Sequence, residues 1–144
     1  MVYNYEAKRS ALAAFLKVSP DEITSWWPNG THRRFEYARK EFLVLTNEEA
    51  NEEAARAIME RLWAFNADFL FDFLGVRNPV ARNAHEKMMG NICESGNEIV
   101  ELMIGARMPE FIRTVIASDG RGEFLAPYDS YEWEQDGFYV YRVE

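Results

Sequence analysis

The chain has 144 residues, 48% of them hydrophobic and 15% aromatic, and a formal net charge of −8. This composition can form a buried core, which excludes a largely disordered chain. No apolar run approaches the roughly 20 residues of a membrane span, and "MVYNYEAKRS" lacks the apolar segment of a signal peptide. The single Cys93 cannot form an internal disulfide. We therefore expect one soluble, cytoplasmic domain covering residues 1–144.

Two segments carry most of the acidity. Residues 41–75 contain eight acidic and two basic side chains, and residues 119–144 contain seven acidic and two basic ones. A surface of this charge repels nucleic acid. A partner attracted by charge would therefore be a basic protein, such as one with a nucleic-acid channel.

The N-terminal residues predict two short helices. An apolar stripe in "RSALAAFLKV" has helical spacing, and Ser19, Pro20 and Glu22 form a helix-start signal for "SPDEITSWW". The pair is similar to half of a helix-turn-helix, but Asp21 and Glu22 would lie where a recognition helix meets phosphates. We therefore favour two helices packed on a sheet over DNA binding.

The segment "RRFEYARKEFLVLT" predicts a β-hairpin with a polar turn over residues 38–41. Phe35 and Tyr37 alternate with charged residues, and "FLVL" forms an apolar second strand. The basic residues near its ends are His32, Arg33, Arg34, Arg39 and Lys40. We interpret them as charges that block edge-to-edge pairing, with a phosphate site as the alternative.

The middle of the chain predicts helices. Thr46 and Glu49 form a capping box that starts the first one, and its four early glutamates suit the helix dipole or could imitate spaced phosphates. A short helix follows from Asn66 to near Gly75. A long helix is expected over residues 81–104, with Gly96 inside it marking a close approach or a kink. A further short helix ends near Gly120.

The C-terminal segment predicts two strands, "GEFLAPYD" and "GFYVYRVE", joined by "SYEWEQDG" with a turn at Asp136–Gly137. The element order then indicates an α+β fold. We expect a small antiparallel sheet of two hairpins, about four strands, packed against four to six helices.

The sequence gives weak support for catalysis or metal binding. His32, His85 and Cys93 show no zinc-site spacing, the last acidic loop does not match a calcium loop, and no nucleophile or phosphate-loop motif occurs. Cys93 is expected to be a buried thiol on an apolar helix face. We predict no metal, no cofactor and no enzymatic activity.

Three stretches together resemble a group of small acidic proteins encoded by bacteriophages, prophages and mobile elements. They are "EFLVLTNEEANEEA", "LWAFNADFL" and "ASDGRGEFLAPYDSYEWEQDGFYVYR", and "ALAAFLKVSPDEI" is similar to the group's opening helix. Glu123 stands where relatives more often have His, and Ser130 where they more often have Gly. The resemblance implies origin and fold grouping rather than an activity.

We therefore expect a non-enzymatic protein that binds a basic host protein, by analogy with anti-CRISPR and antirestriction inhibitors. The predicted partner-binding residues are Glu48, Glu49, Glu52, Glu53, Tyr128, Asp129, Tyr131, Glu132, Trp133, Glu134 and Asp136. The aromatic members would be packed anchors. The alternatives are a DNA-binding regulator that uses the N-terminal helix pair, and a small ligand-binding domain or enzyme with a pocket lined by Trp63, Phe65 and the last strands.

Overall fold

A computed structural model describes residues 4–25 and 33–144, without the side chain of Ser25. Within these ranges the chain forms seven α-helices, four short 3-10 helices and one antiparallel sheet, which confirms the α+β class. The chain divides into two compact units. Unit 1 comprises Met1–Ala54 and Asp119–Glu144, and unit 2 comprises Ala55–Ser118. The predictions made for Trp26, Trp27 and His32 lie outside the described residues.

The sheet belongs to unit 1. Its strands are β1 (Thr24–Ser25), β2 (Arg34–Tyr37), β3 (Lys40–Leu45), β4 (Trp133–Gln135) and β5 (Phe138–Arg142). Their spatial order is β1-β2-β3-β5-β4, so β5 lies between β3 and β4. Val44 of β3 pairs with Val140 of β5, and both side chains are fully buried. The centre of the sheet therefore joins the two separate chain segments of unit 1.

Helices cover this sheet within unit 1. They are α1 (Asn4–Leu16), the first turns of α2 (Asn47–Met59) and the one-turn α7 (Gly122–Leu125). Leu12 and Ala13 of α1 share a buried cluster with Phe35, Phe42 and Val140 of the strands. Burying such side chains contributes roughly 1.5–3 kcal/mol each for the larger ones, so this cluster holds α1 on the sheet.

Unit 2 is helical. Its helices are the end of α2, then α3 (Ala67–Leu74), α4 (Pro79–Ile92), α5 (Asn97–Ile104) and most of α6 (Met108–Asp119). The ring of Phe111, which is fully buried, lies 5.1–5.9 Å from the ring centroids of Phe65, Phe69 and Phe73. Edge-to-face contacts of this kind are favourable beyond the area they bury. The phenylalanine-rich segment is therefore part of the core.

The first hairpin and most helix boundaries are confirmed. Thr46 and Glu49 form both bonds of the capping box, and Asn66 caps α3. The hairpin turn is tighter than expected, because it consists of Ala38 and Arg39, both with positive φ. Lys40 consequently begins β3, where the sequence predicted a turn residue.

The helix predicted for "SPDEITSWW" is wrong over its described part. Only Pro20–Glu22 are helical, in a 3-10 turn that Ser19 caps. The chain then extends, Ile23 is buried, and Thr24 pairs with Glu36 of β2. Strand pairing and burial of a β-branched residue outweigh the helix-start signal. The DNA-binding alternative loses its predicted second helix in these residues.

The long helix predicted over residues 81–104 is also wrong, because a 3-10 segment (Cys93–Gly96) separates α4 from α5. Cys93 has φ +50° and is exposed, so it is not the buried thiol expected on a continuous helix. A Cβ on Gly96 would collide with the side chain of Met89 and lie 3.3 Å from Cβ of Trp63. Gly96 therefore marks both the break and the close approach.

The strand predicted for "GEFLAPYD" is wrong. Gly122–Leu125 form α7, and the first strand of the C-terminal hairpin is β4 in the segment predicted as a link. Phe124, Leu125 and Ala126 are all buried. A strand would place consecutive side chains on opposite faces, whereas one helical turn buries all three.

Candidate functional site

Three of the four early glutamates of α2 converge on one guanidinium group. Arg33 Nε lies 3.2 Å from Glu49 Oε2, Nη1 lies 2.6 Å from Glu53 Oε1, and Nη2 lies 3.3 Å from Glu52 Oε2. The fixed fork of an arginine suits several carboxylates at once. These acids are thus partly neutralised by Arg33, which lies just before β2.

Glu49 has a second cationic partner inside the protein. Lys8 of α1 is 1% exposed, and its Nζ lies 2.7 Å from Glu49 Oε1. Burial lowers the pKa of Lys8, and the bond to Glu49 opposes that effect. Burial also disfavours the charged Glu49, but hydrogen bonds from Lys8 and the Thr46 amide outweigh it and lower its pKa. Glu49 is therefore an internal counter-ion, whereas Glu48 is exposed and makes no ion pair within the described residues.

The Asp-Gly-Arg-Gly motif is a structural joint centred on Arg121. The side chain of Arg121 is only 10% exposed, and its Nε lies 2.7 Å from Glu132 Oε1. Its Nη1 donates to Oδ1 of Asn47 at 2.8 Å and of Asn51 at 3.0 Å, both at the start of α2. The guanidinium also lies 4.6 Å from the ring centre of Tyr139. One side chain thus fastens α7, α2 and the last hairpin together.

Glu132 is the acceptor at the centre of this joint. The hydroxyl of Tyr141, a fully buried residue of β5, donates to the same Glu132 oxygen as Arg121. Burial, followed by the bond to Glu132, raises the pKa of Tyr141 well above its usual value. Glu132 therefore accepts internal hydrogen bonds, whereas the sequence predicted that it would contact a partner.

The glycine after Arg121 permits a close backbone approach. A Cβ on Gly122 would collide with the carbonyl of Ser130 and lie 3.0 Å from the carbonyl carbon of Tyr131. Ser130 itself has φ +61°, in the left-handed region that glycine adopts most easily. Ser130 therefore adopts a backbone conformation that glycine would adopt with less strain.

Three aromatic residues just beyond this joint form an exposed group, which we call the aromatic patch: Tyr128, Tyr131 and Trp133. Their side chains are 59%, 61% and 44% exposed. The rings of Tyr131 and Trp133 stack with centroids 5.4 Å apart, and Trp133 also contacts Phe15 of α1 at 5.7 Å. The patch is therefore held in place by the fold and yet remains accessible.

A groove of about 220 Å³ adjoins the aromatic patch in unit 1. Phe15, Phe42 and Val140 line it, together with the charged residues Lys40, Arg142 and Asp129. The guanidinium of Arg142 lies 3.5 Å from the ring centre of Tyr128. The groove can receive an apolar side chain of a partner.

The remaining acids of the C-terminal segment differ in their contacts. Glu134 and Asp136 are exposed and make no ion pair with any residue of ranges 4–25 and 33–144. Asp136 has φ +53° and forms the hairpin turn with Gly137. Asp129 accepts a hydrogen bond from the amide of Tyr131 at 3.1 Å. The predicted binding residues thus separate into accessible ones around the aromatic patch and internally paired ones.

Unit 2 contains a cavity of about 360 Å³. Trp63 and Phe65 line it, as the ligand-binding alternative predicted, but every lining residue lies between Trp63 and Gly90, without the last strands. His85 also lines the cavity, although the sequence indicated it only as a possible zinc ligand. Its position on a cavity wall carries no local sequence signal, because it depends on how α3 and α4 pack.

Comparison of the chain with protein-family models, curated proteins and solved structures gives no match. Among the described helices none is long and apolar enough to cross a membrane. Over the same residues, no three histidine, cysteine, aspartate or glutamate side chains form a set that could hold a metal ion. The resemblance to phage-encoded proteins stays a prediction from the sequence.

Proposed function

We propose that this protein is a non-enzymatic protein of phage or mobile-element origin that binds a basic surface of a host protein and inhibits it as a counter-defence factor. The observation that carries the binding part is the aromatic patch. Three large aromatic side chains within six residues are exposed, and they lie in the same segment as Glu134 and Asp136, which make no ion pair within ranges 4–25 and 33–144. The origin rests on the sequence resemblance alone.

The aromatic patch has the composition of an interface centre. Tyr and Trp are enriched among the residues that dominate binding energy, because they bury much area and lose little conformational freedom. Tyr131 and Trp133 already stack on each other, so part of the ordering cost of binding is met before a partner arrives. The adjoining groove adds a recess for a partner side chain.

The accessible acids of the C-terminal hairpin favour a basic partner, although Lys40 and Arg142 line the groove beside the patch. Glu134 and Asp136 extend from the same hairpin without ion pairs in the described residues. Opposite charges at the rim of an interface mainly raise the association rate and set specificity. The glutamates of α2 contribute less, because Arg33 and Lys8 already neutralise much of their charge.

The proposal is tested by affinity capture from a bacterial lysate, comparing the natural sequence with a Tyr131→Ala, Glu134→Gln double variant. Leu102→Ala in unit 2 is the matched control, because Leu102 is an exposed apolar residue (82%) away from the hairpin sequence. We expect a basic protein to bind the natural sequence and the control. The double variant should bind it roughly 30-fold more weakly, which corresponds to losing one strong anchor.

Two further results would bear on the proposal. Binding should weaken as salt rises, and the captured protein should lose its activity when the natural sequence is added. If the captured protein binds the double variant as tightly as the natural sequence, the aromatic patch is not the interface. If its activity is unchanged when saturated, the inhibitory role is wrong.

A further inference from the structure

The cavity in unit 2 has the dimensions of a small-molecule site. The cavity lies between the segment before α3 and the helix α4, and its volume is about 360 Å³. Ligand-binding cavities commonly have volumes from about 300 Å³ upwards. Aromatic and polar residues both line it, among them Trp63, Phe65, Asn66 and Asp68. Such a mixture can hold an apolar body and orient one polar group.

His85 gives the cavity a specific chemical feature. The residue is 5% exposed, it packs against Phe71 with ring centroids 5.4 Å apart, and its Nδ1 has no hydrogen-bond partner in the described chain. A buried polar atom without a partner costs about 1–3 kcal/mol, and Nδ1 has almost no accessible surface, so a ligand in the cavity would not reach it. Burial lowers the pKa of His85, so the ring adds no positive charge near pH 7 that would oppose a cationic ligand.

The charged residues that line the cavity determine which sign of ligand charge it favours. Asp68 and Glu86 are the charged residues of the described lining, which contains no lysine or arginine. Asp68 forms an ion pair with Arg82 at 2.8 Å. Glu86 is exposed and makes no ion pair with any residue in the described ranges. One carboxylate thus remains uncompensated, beside a neutral imidazole and two aromatic residues.

We propose that this cavity binds a small cationic amine with an apolar body. An ammonium group only donates hydrogen bonds, so it complements the Glu86 carboxylate. Its apolar body would pack on Trp63 and Phe65, whose ring faces also attract cations. A carboxylate ligand would instead face repulsion from Glu86. This site is independent of the aromatic patch, and either proposal can fail alone.

Three monosubstituted benzenes of similar size but different charge test the proposal: benzylamine, benzyl alcohol and benzoate. Binding is followed by NMR through the methyl signals of Ala67 and Met89, which line the cavity, and the ring signals of His85. We expect benzylamine to shift these signals saturably, benzyl alcohol to bind more weakly and benzoate to bind weakest. Glu86→Gln should weaken benzylamine binding roughly two- to fivefold, the range of a partly exposed ion pair.

Glu94→Gln is the matched control, since Glu94 is an exposed glutamate outside the cavity lining. The Glu94→Gln variant should bind benzylamine as tightly as the natural sequence does. Both the Glu86→Gln and the Glu94→Gln variants should retain the far-UV circular dichroism of a folded chain. The proposal is overturned if benzylamine causes no saturable shift at Met89 and His85. It is equally overturned if benzoate or benzyl alcohol binds as tightly as benzylamine, or if Glu86→Gln has no effect.

Discussion

The acidic residues at the start of α2 and those of the C-terminal hairpin are similar in sequence, but the fold gives them different neighbours. In α2, Glu49, Glu52 and Glu53 meet the guanidinium of Arg33, and Glu49 also meets the buried Lys8. In the hairpin, Glu134 extends without an ion pair in the described residues. The difference lies in what the fold brings to each carboxylate.

Within the hairpin the same contrast occurs between neighbours. Glu132 accepts from Arg121 and Tyr141, whereas Glu134, two residues later on β4, makes no such bond in the described chain. A paired acid stabilises the fold, and an unpaired acid is available to a partner. Single-residue substitutions can therefore separate the two roles, with the adjacent acid as the control in each case.

The largest effect is expected for Glu49→Gln. This change removes the carboxylate charge that lies beside the buried Lys8, so we expect the free energy of unfolding to fall by about 3 kcal/mol. Glu48→Gln, one residue earlier and exposed, should change it by less than about 0.5 kcal/mol. Urea denaturation measures both values. If both substitutions change the free energy of unfolding equally, the ion pair of Glu49 does not stabilise the fold.

A smaller loss is expected for Glu132→Gln. The change removes charge-assisted hydrogen bonds from Arg121 and Tyr141, and we expect a destabilisation of about 2 kcal/mol. Glu134→Gln should have an effect below about 0.5 kcal/mol on stability while reducing partner binding. A stable Glu132→Gln variant with weakened partner binding would instead place Glu132 in the interface.

A loss of stability with rising pH is expected in alkali. The pKa of Tyr141 is raised in the folded protein, so its contribution is complete below the ordinary tyrosine pKa and is lost as pH rises. Above about pH 10 the free energy of unfolding should therefore fall by up to about 1.4 kcal/mol per pH unit from this group. Tyr141→Phe removes the group, and its stability should fall less steeply over the same range. Parallel slopes for the two proteins would show that Tyr141 titrates normally.

Local sequence signals identified much of the fold. The capping box of Thr46 and Glu49, the Asn66 cap and the Gly75 helix end depend on residues within four positions of each other, and all occur as predicted. The errors arose where distant contacts decide the structure. Burial of three consecutive apolar side chains makes Gly122–Leu125 helical, although their order also suits a strand.

The site was harder to predict for the same reason. The sequence shows an acidic segment but does not show that Arg33 and Lys8 fold against it. Arg33 lies just before β2 and Lys8 lies in α1, so both are distant from that segment along the chain. The exposure of Tyr131 and Trp133 likewise depends on how the loop folds back over Gly122. Residue types identified the hairpin as a candidate surface, and only the fold separates its accessible acids from its internal ones.

The pairing of β3 with β5 also has a consequence for the order of assembly. All of residues 55–118 lie between these two partner strands in the chain, so closing the sheet requires a long loop to close first, which slows folding. Until β5 arrives, β3 presents an apolar, unpaired edge, and such edges promote aggregation of folding intermediates. A newly synthesised chain is therefore most vulnerable after β3 has formed and before Phe138–Arg142 can dock.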